Sequence, residues 1–213
     1  MHAYILLDRS GSMQSLWVEA LSSVNAYAKE LSDKTAKDAV DSYLTLAVFD
    51  GQEGLQFDVL RKKQPALHWE TVTDREAVPR GMTPLLDALG RMIALAETDN
   101  PDKAVIVVMT DGQENASREV TAEGAKKALD RVKAKGWDAV FLGANFDNIA
   151  DAAACGVAGA QQMAMAPGTM TASMKRMASK SRAYFSSGAR HEFDEADRSV
   201  AKEANVKGDK NSH

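Results

Sequence analysis

The sequence predicts an α/β protein with a doubly wound, mostly parallel sheet, one antiparallel edge strand and helices on both faces. Three observations lead there. Short β-rich apolar runs alternate with longer stretches whose apolar residues recur at helical spacing. The strand runs are continuously hydrophobic, as strands covered on both faces must be. The chain has 213 residues, 45% of them hydrophobic and 26% charged, the balance of a globular domain able to bury a substantial core.

Ala3–Leu7 (AYILL) reads as a buried first strand. Ser15–Leu31 carries Leu16, Ala20, Leu21, Val24, Tyr27, Ala28 and Leu31 on one helical stripe. Tyr43–Phe49 is a second strand, and Gly54–Leu60 pairs back onto it across the turn at Asp50-Gly51. Arg61–Arg80 is polar and irregular, with Trp69 as its anchor. A helix is expected from Thr83 as N-cap and Pro84 as first helical residue, running through Leu85, Leu86, Leu89, Met92, Ile93 and Leu95.

Ala104–Met109 (AVIVVM) is the strongest buried strand. Thr121–Lys135 is a helix closed by Gly136, although its start lacks the acid of a full capping box. Ala139–Leu142 is a strand, Asp147–Cys155 a short helix with Cys155 a buried thiol, Gln161–Ala166 an edge strand and Gly168–Phe185 a helix. In that last helix Met170, Met174 and Met177 share a face, and Lys175, Arg176, Lys180 and Arg182 accompany them. Packing of the methionines on the sheet is the simpler expectation; docking on a partner or an anionic surface is the alternative. The domain is expected to span 1–185, with 186–213 a charged tail, loosely ordered or disordered.

Composition excludes several functions. The net charge of −4 gives no electrostatic reason to bind nucleic acid. One cysteine excludes a disulfide framework or a multi-cysteine zinc site, and the four histidines form no pair at helical ligand spacing. No apolar run approaches the ~18–20 residues that cross a bilayer, and no secretory signal is recognisable. A cytoplasmic protein without a membrane partner is the expectation.

Open α/β sheets bind ligands beyond the carboxyl ends of their strands. The first strand ends in Asp8-Arg9-Ser10-Gly11-Ser12, the helix near Pro84 opens after Arg80-Gly81-Met82-Thr83, and the strand Ala104–Met109 ends in Thr110-Asp111-Gly112. An isolated Asp-x-Ser is an ordinary turn making local backbone bonds. With Thr83 and Asp111 added, oxygen-only donors point to a hard cation, Mg²⁺ or Mn²⁺. Arg9, Gln113, Glu114 and Asn115 flank the set and read as solvated loop, or as a rim that selects partners.

Asp-x-Ser-x-Ser, then a loop Thr, then a strand-terminal Thr-Asp-Gly resembles the metal-ion-dependent adhesion site of von Willebrand factor type A domains. The resemblance covers roughly Met1–Phe185. Arg80–Ala88 and Gly143-Ala144-Asn145 look most like small stand-alone members from bacteria and their phages. It implies a Rossmann-like fold with Asp8, Ser10, Ser12, Thr83 and Asp111 as metal residues. The serines would bind directly, the aspartates largely through water, and the threonine in the ligand-competent state. It further implies a protein partner that supplies a Glu or Asp carboxylate to the metal, an AAA-type ATPase being one class.

Catalysis is not expected. Ser10-Gly11-Ser12 lacks the first glycine of a nucleophile elbow, and no phosphate-binding loop is present. A metal-dependent hydrolase or phosphotransferase using the same acids is the alternative, since a dication can activate water. A structural subunit with a degenerate site is another.

Overall fold

A computed structural model describes residues 1–144 and 152–208. Its described elements are β1 (His2–Asp8), α1 (Trp17–Leu31), β2 (Tyr43–Gly51), β3 (Leu55–Pro65), α2 (Leu85–Asp99), β4 (Ala104–Thr110), α3 (Ala122–Ala134), β5 (Asp138–Gly143), β6 (Gln162–Ala164), α4 (Met170–Ser187), α5 (Glu195–Val200) and α6 (Glu203–Gly208). The strands form one sheet in the order β3-β2-β1-β4-β5-β6. All neighbours are parallel except β2 and β3. The expected doubly wound sheet with one antiparallel edge strand is therefore present.

Alternation within each strand builds two cores. Ala3, Ile5 and Leu7 of β1, with Val105, Val107 and Met109 of β4, face α1 and α4. Tyr4, Leu6, Ile106 and Val108 face α2 and α3. Met170, Met174 and Met177 are fully buried in the first core, so the methionine stripe packs inward. β1 lies between β2, which follows it, and β4, reached by crossing back over the sheet. That reversal opens a crevice at the carboxyl ends of β1 and β4, where Asp8 and Asp111 emerge.

Several boundaries differ from the sequence reading. β3 runs five residues beyond Leu60, with register shifts between Leu44 and Ala47 on its partner. Those shifts let a polar segment keep pairing. Trp69 does anchor the stretch that follows, its Nε1 donating to Asn25 Oδ1 at 2.9 Å. The edge strand β6 keeps only Gln162–Ala164. The helix expected over Asp147–Cys155 lies mostly outside the described residues, as does Asn145; 152–154 are helical and Cys155 is buried.

The tail requires correction. From His191 onward the segment packs on the domain: His191, Phe193 and Ala201 are buried, and α5 begins with a capping box formed by Asp194 and Asp197. Few apolar residues suffice because the acids of this segment meet the basic side of α4. Asp197 pairs with Arg176 at 2.6 Å and with Lys180 at 2.7 Å, and Glu203 accepts the backbone N–H of Ala164 in β6 at 3.0 Å. Among the described residues no helix is long and apolar enough to cross a membrane.

Candidate metal centre

Asp8, the last residue of β1, is completely buried. Its Oδ1 accepts the backbone N–H of Ser10 at 2.7 Å, and its Oδ2 accepts the hydroxyl of Thr110, the last residue of β4, at 2.6 Å. The chain then enters a 3-10 turn over Gly11–Ser15. The turn holds the Ser10 and Ser12 hydroxyls 3.0 Å apart, and Ser12 Oγ donates to Asp111 Oδ1 at 2.7 Å.

Thr83 joins from the other side. A methyl group built on Gly112 would stand 2.4 Å from Thr83 Oγ1 and 3.3 Å from both Asp8 Oδ2 and Ser10 Oγ. Three oxygens from two separate loops thus converge beside one glycine of a third, which leaves room for them because it has no side chain. The structure brings Asp8, Ser10, Ser12, Thr83 and Asp111 together in one oxygen-lined site.

Two carboxylates and three hydroxyls make a donor set suited to Mg²⁺ or Mn²⁺, which bind few protein carboxylates and keep water in their shell. Among the described residues no group of three or more His, Cys, Asp and Glu side chains could hold a metal; hydroxyls make up the remainder here. Electrostatics agree with the donor chemistry. Burial pushes the Asp8 carboxyl up to about 6, against the lowering bonds from Thr110 and Ser10. Burial also raises Asp111, offset in part by Ser12. Two desolvated acids side by side are relieved by a cation.

The flanking residues read as solvated loop are mostly something else. Arg9 is 4% exposed, its guanidinium held by Asp50 and by Asp58. Thr83 does not cap α2: the cap position is Pro84, without a side-chain bond. The amides of Leu86 and Asp87 instead go to Ser117 Oγ at 3.1 Å, and Glu114 Oε2 also accepts from Leu86 at 2.9 Å. Asn115 Oδ1 accepts the Thr83 amide at 2.9 Å. Asp87 accepts the N–H groups of Arg118, Glu119 and Val120. Gln113 is exposed.

Sequence reasoning quoted Thr110 and Gly112 within the motif, and Glu114 and Asn115 as its flank, but gave none of them the bonds they make here. Thr110 carried a usable signal, as the only polar residue of an otherwise apolar strand. The braces carried none, since their partners lie about thirty residues away in the sequence.

No protein-family model matches the sequence, and no curated protein matches it. Solved structures share the fold. Manganese-loaded TRAP protein of Plasmodium vivax aligns over 81% of this chain and 70% of its own, at 17% identity and a TM-score of 0.53. A von Willebrand factor type A protein from Catenulispora acidiphila aligns over 85% and 42%, at 17% identity and 0.55. The PilB minor pilin of Streptococcus sanguinis aligns over 87% and 61%, at 12% identity and 0.58. The chain thus spans less than half of the Catenulispora chain and under two thirds of the pilin. Likeness at this level of identity establishes the fold.

Proposed function

We propose that this protein, whose fold is that of von Willebrand factor A domains, is a divalent-cation-dependent protein-binding module. Asp8, Ser10, Ser12, Thr83 and Asp111 would hold Mg²⁺ or Mn²⁺, and an acidic side chain of a partner would complete the shell. The observation that carries this reading is the convergence of Asp8 Oδ2, Ser10 Oγ and Thr83 Oγ1 beside Gly112, with Ser12 and Asp111 joined next to them. When bound, the cation supplies an electrophilic centre that two carboxylates do not saturate. The chain's own residues would fix that centre at an open edge: Gly11 and Ser12 are exposed, while Asp8 and Thr83 are buried beneath. The manganese-loaded state of the Plasmodium relative supports the choice of ion class.

We favour binding over catalysis. The described histidines sit away from the site: His2 begins β1, His68 follows β3, and His191 packs on Asp138 at the start of β5. A hydrolase built on the same acids would need a base beside the metal, and none of these three supplies it. An AAA-type ATPase is one partner class consistent with this mode, and a cytoplasmic location accords with the sequence reading.

The test is a pull-down with immobilised protein in Mg²⁺, repeated with chelator and with Thr83→Ala. A partner retained in Mg²⁺ and released in both other conditions supports the reading. Retention that ignores chelator and mutation contradicts it.

A further inference from the structure

The four residues from Arg80 to Thr83 are tied through their main chains to three neighbouring segments: the loop after β1, the end of β2 and the loop after β4. Arg80 N–H donates to Arg9 O at 2.8 Å, and Gly81 O accepts Gly11 N–H at 3.1 Å. Met82 exchanges both of its main-chain bonds with Gly51, at 2.8 and 3.1 Å. Thr83 is held at both ends by one residue: its N–H donates to Asn115 Oδ1 at 2.9 Å, and its C=O accepts Asn115 N–H at 3.2 Å.

Asn115 is itself braced through its neighbour. Glu114 accepts the N–H groups of Ala116 and Ser117 at 3.0 and 2.8 Å, the Ser117 hydroxyl at 2.7 Å and the Leu86 amide at 2.9 Å. One carboxylate thereby fastens the loop after β4 to the first turn of α2 at Leu86, three residues beyond Thr83 and two beyond Pro84. Gly81 is no free hinge: at φ +71°, its missing Cβ would stand 2.6 Å from Gly51 O.

We propose that Asn115, braced by Glu114, is a positioning residue that holds the Thr83 hydroxyl inside the site in the resting protein. The threonine oxygen is then built into the site before any partner arrives, instead of being recruited by one. This rests on the metal-binding reading above. It gives Asn115 a role beyond stability: removing its side chain releases the Thr83 amide, the Thr83 hydroxyl drifts, and a bound cation fills the vacancy with water.

The experiment uses the full chain without partner. Mn²⁺ affinity is read from the free-ion electron paramagnetic resonance signal, and the number of fast-exchanging waters on bound Mn²⁺ from water-proton relaxation. Amide hydrogen exchange at Thr83 and Leu86 is followed in metal-free protein. Wild type is compared with Thr83→Ala, Asn115→Ala, Asn115→Asp and Glu114→Gln, each checked for fold by circular dichroism. Thr83→Ala should gain one water and bind Mn²⁺ about tenfold more weakly. Asn115→Ala should reproduce both changes and speed Thr83 exchange about tenfold or more. Asn115→Asp, which keeps the acceptor oxygen, should restore the wild-type hydration number, and Glu114→Gln should fall between.

The double variant Thr83→Ala/Asn115→Ala should be no worse than either single one, as for two residues acting through one oxygen. The proposal is overturned if Asn115→Ala keeps wild-type hydration and affinity while Thr83→Ala loses them. It is equally overturned if Thr83→Ala changes neither in the absence of partner; Mn²⁺ binding by the wild type would then still stand. Should the wild type bind no Mn²⁺, the metal reading itself fails, and the proposal with it.

Discussion

Arg9, one residue beyond Asp8, is buried against Asp50, and its guanidinium also reaches Asp58 at 2.5 Å. Arg80 adds a longer contact to the same Asp50 oxygen at 3.4 Å. The other Asp50 oxygen is buried and has no hydrogen-bond partner among the described residues. The pair ties the end of β1 to the end of β2 directly under the loop that leads to Ser10 and Ser12.

Removing one half of a buried ion pair strands the other charge, at a cost of about 3–5 kcal/mol. Asp50→Ala should therefore lower unfolding free energy by an amount of that order in urea titration. Asp58→Ala removes a half-exposed partner and should cost no more than about 1 kcal/mol. Equal losses for the two variants would show that Asp50 is not the main counter-charge of Arg9.

Acid should destabilise the protein through His2, which is stacked on Tyr4 and bonded to Thr45 Oγ1 at 2.8 Å. Burial pushes the His2 imidazole down to about 4, with Asp99 opposing. The unfolded chain, with an ordinary value near 6.5, binds this proton first. The stabilisation is thus complete above pH 6.5 and is lost progressively as pH falls towards 4, by on the order of 3 kcal/mol. His2→Gln should flatten the slope of stability against pH across that window. An unchanged slope would assign the acid sensitivity to other groups.

The C-terminal segment should prove structural. Phe193 is 6% exposed and Ala201 fully buried. The His191 ring bridges Asp138 at 3.0 Å and Ser181 at 3.1 Å. Phe193→Ala should cost about 3 kcal/mol or more through the cavity it leaves, and deletion of 186–213 should lower the melting temperature or abolish soluble expression. A truncated protein melting with the full chain would restore the expectation of a dispensable tail.

What could be read from the sequence was what depends on local pattern. β1 and β4 announce themselves by unbroken hydrophobicity, and the five site residues by standing where those strands and α2 end or begin. Charged side chains resisted reading because their fate is decided by distant partners. Arg9 looks solvated until Asp50 and Asp58 arrive from the neighbouring hairpin, and Glu114 looks like loop until the open first turn of α2 presents its amides. The tail misled for the same reason: Asp194, Asp197 and Glu203 suggest solvation, yet they meet Arg176, Lys180 and Arg198 in the folded chain. β3 outran its apolar run because a bulged edge strand tolerates polar residues.

Thermal denaturation of the full chain with and without Mg²⁺ or Mn²⁺, in wild type and in Asp8→Ala/Asp111→Ala, tests the central claim most directly. A ligand at one hundred times its dissociation constant adds about 2.7 kcal/mol to stability, which for a chain of this length raises the melting temperature by about 5 °C or more. The wild type should show that gain and lose it with chelator, and the double variant should show none. A wild type whose melting temperature ignores the cation, or a double variant that gains as much as the wild type, would contradict the assignment of the site.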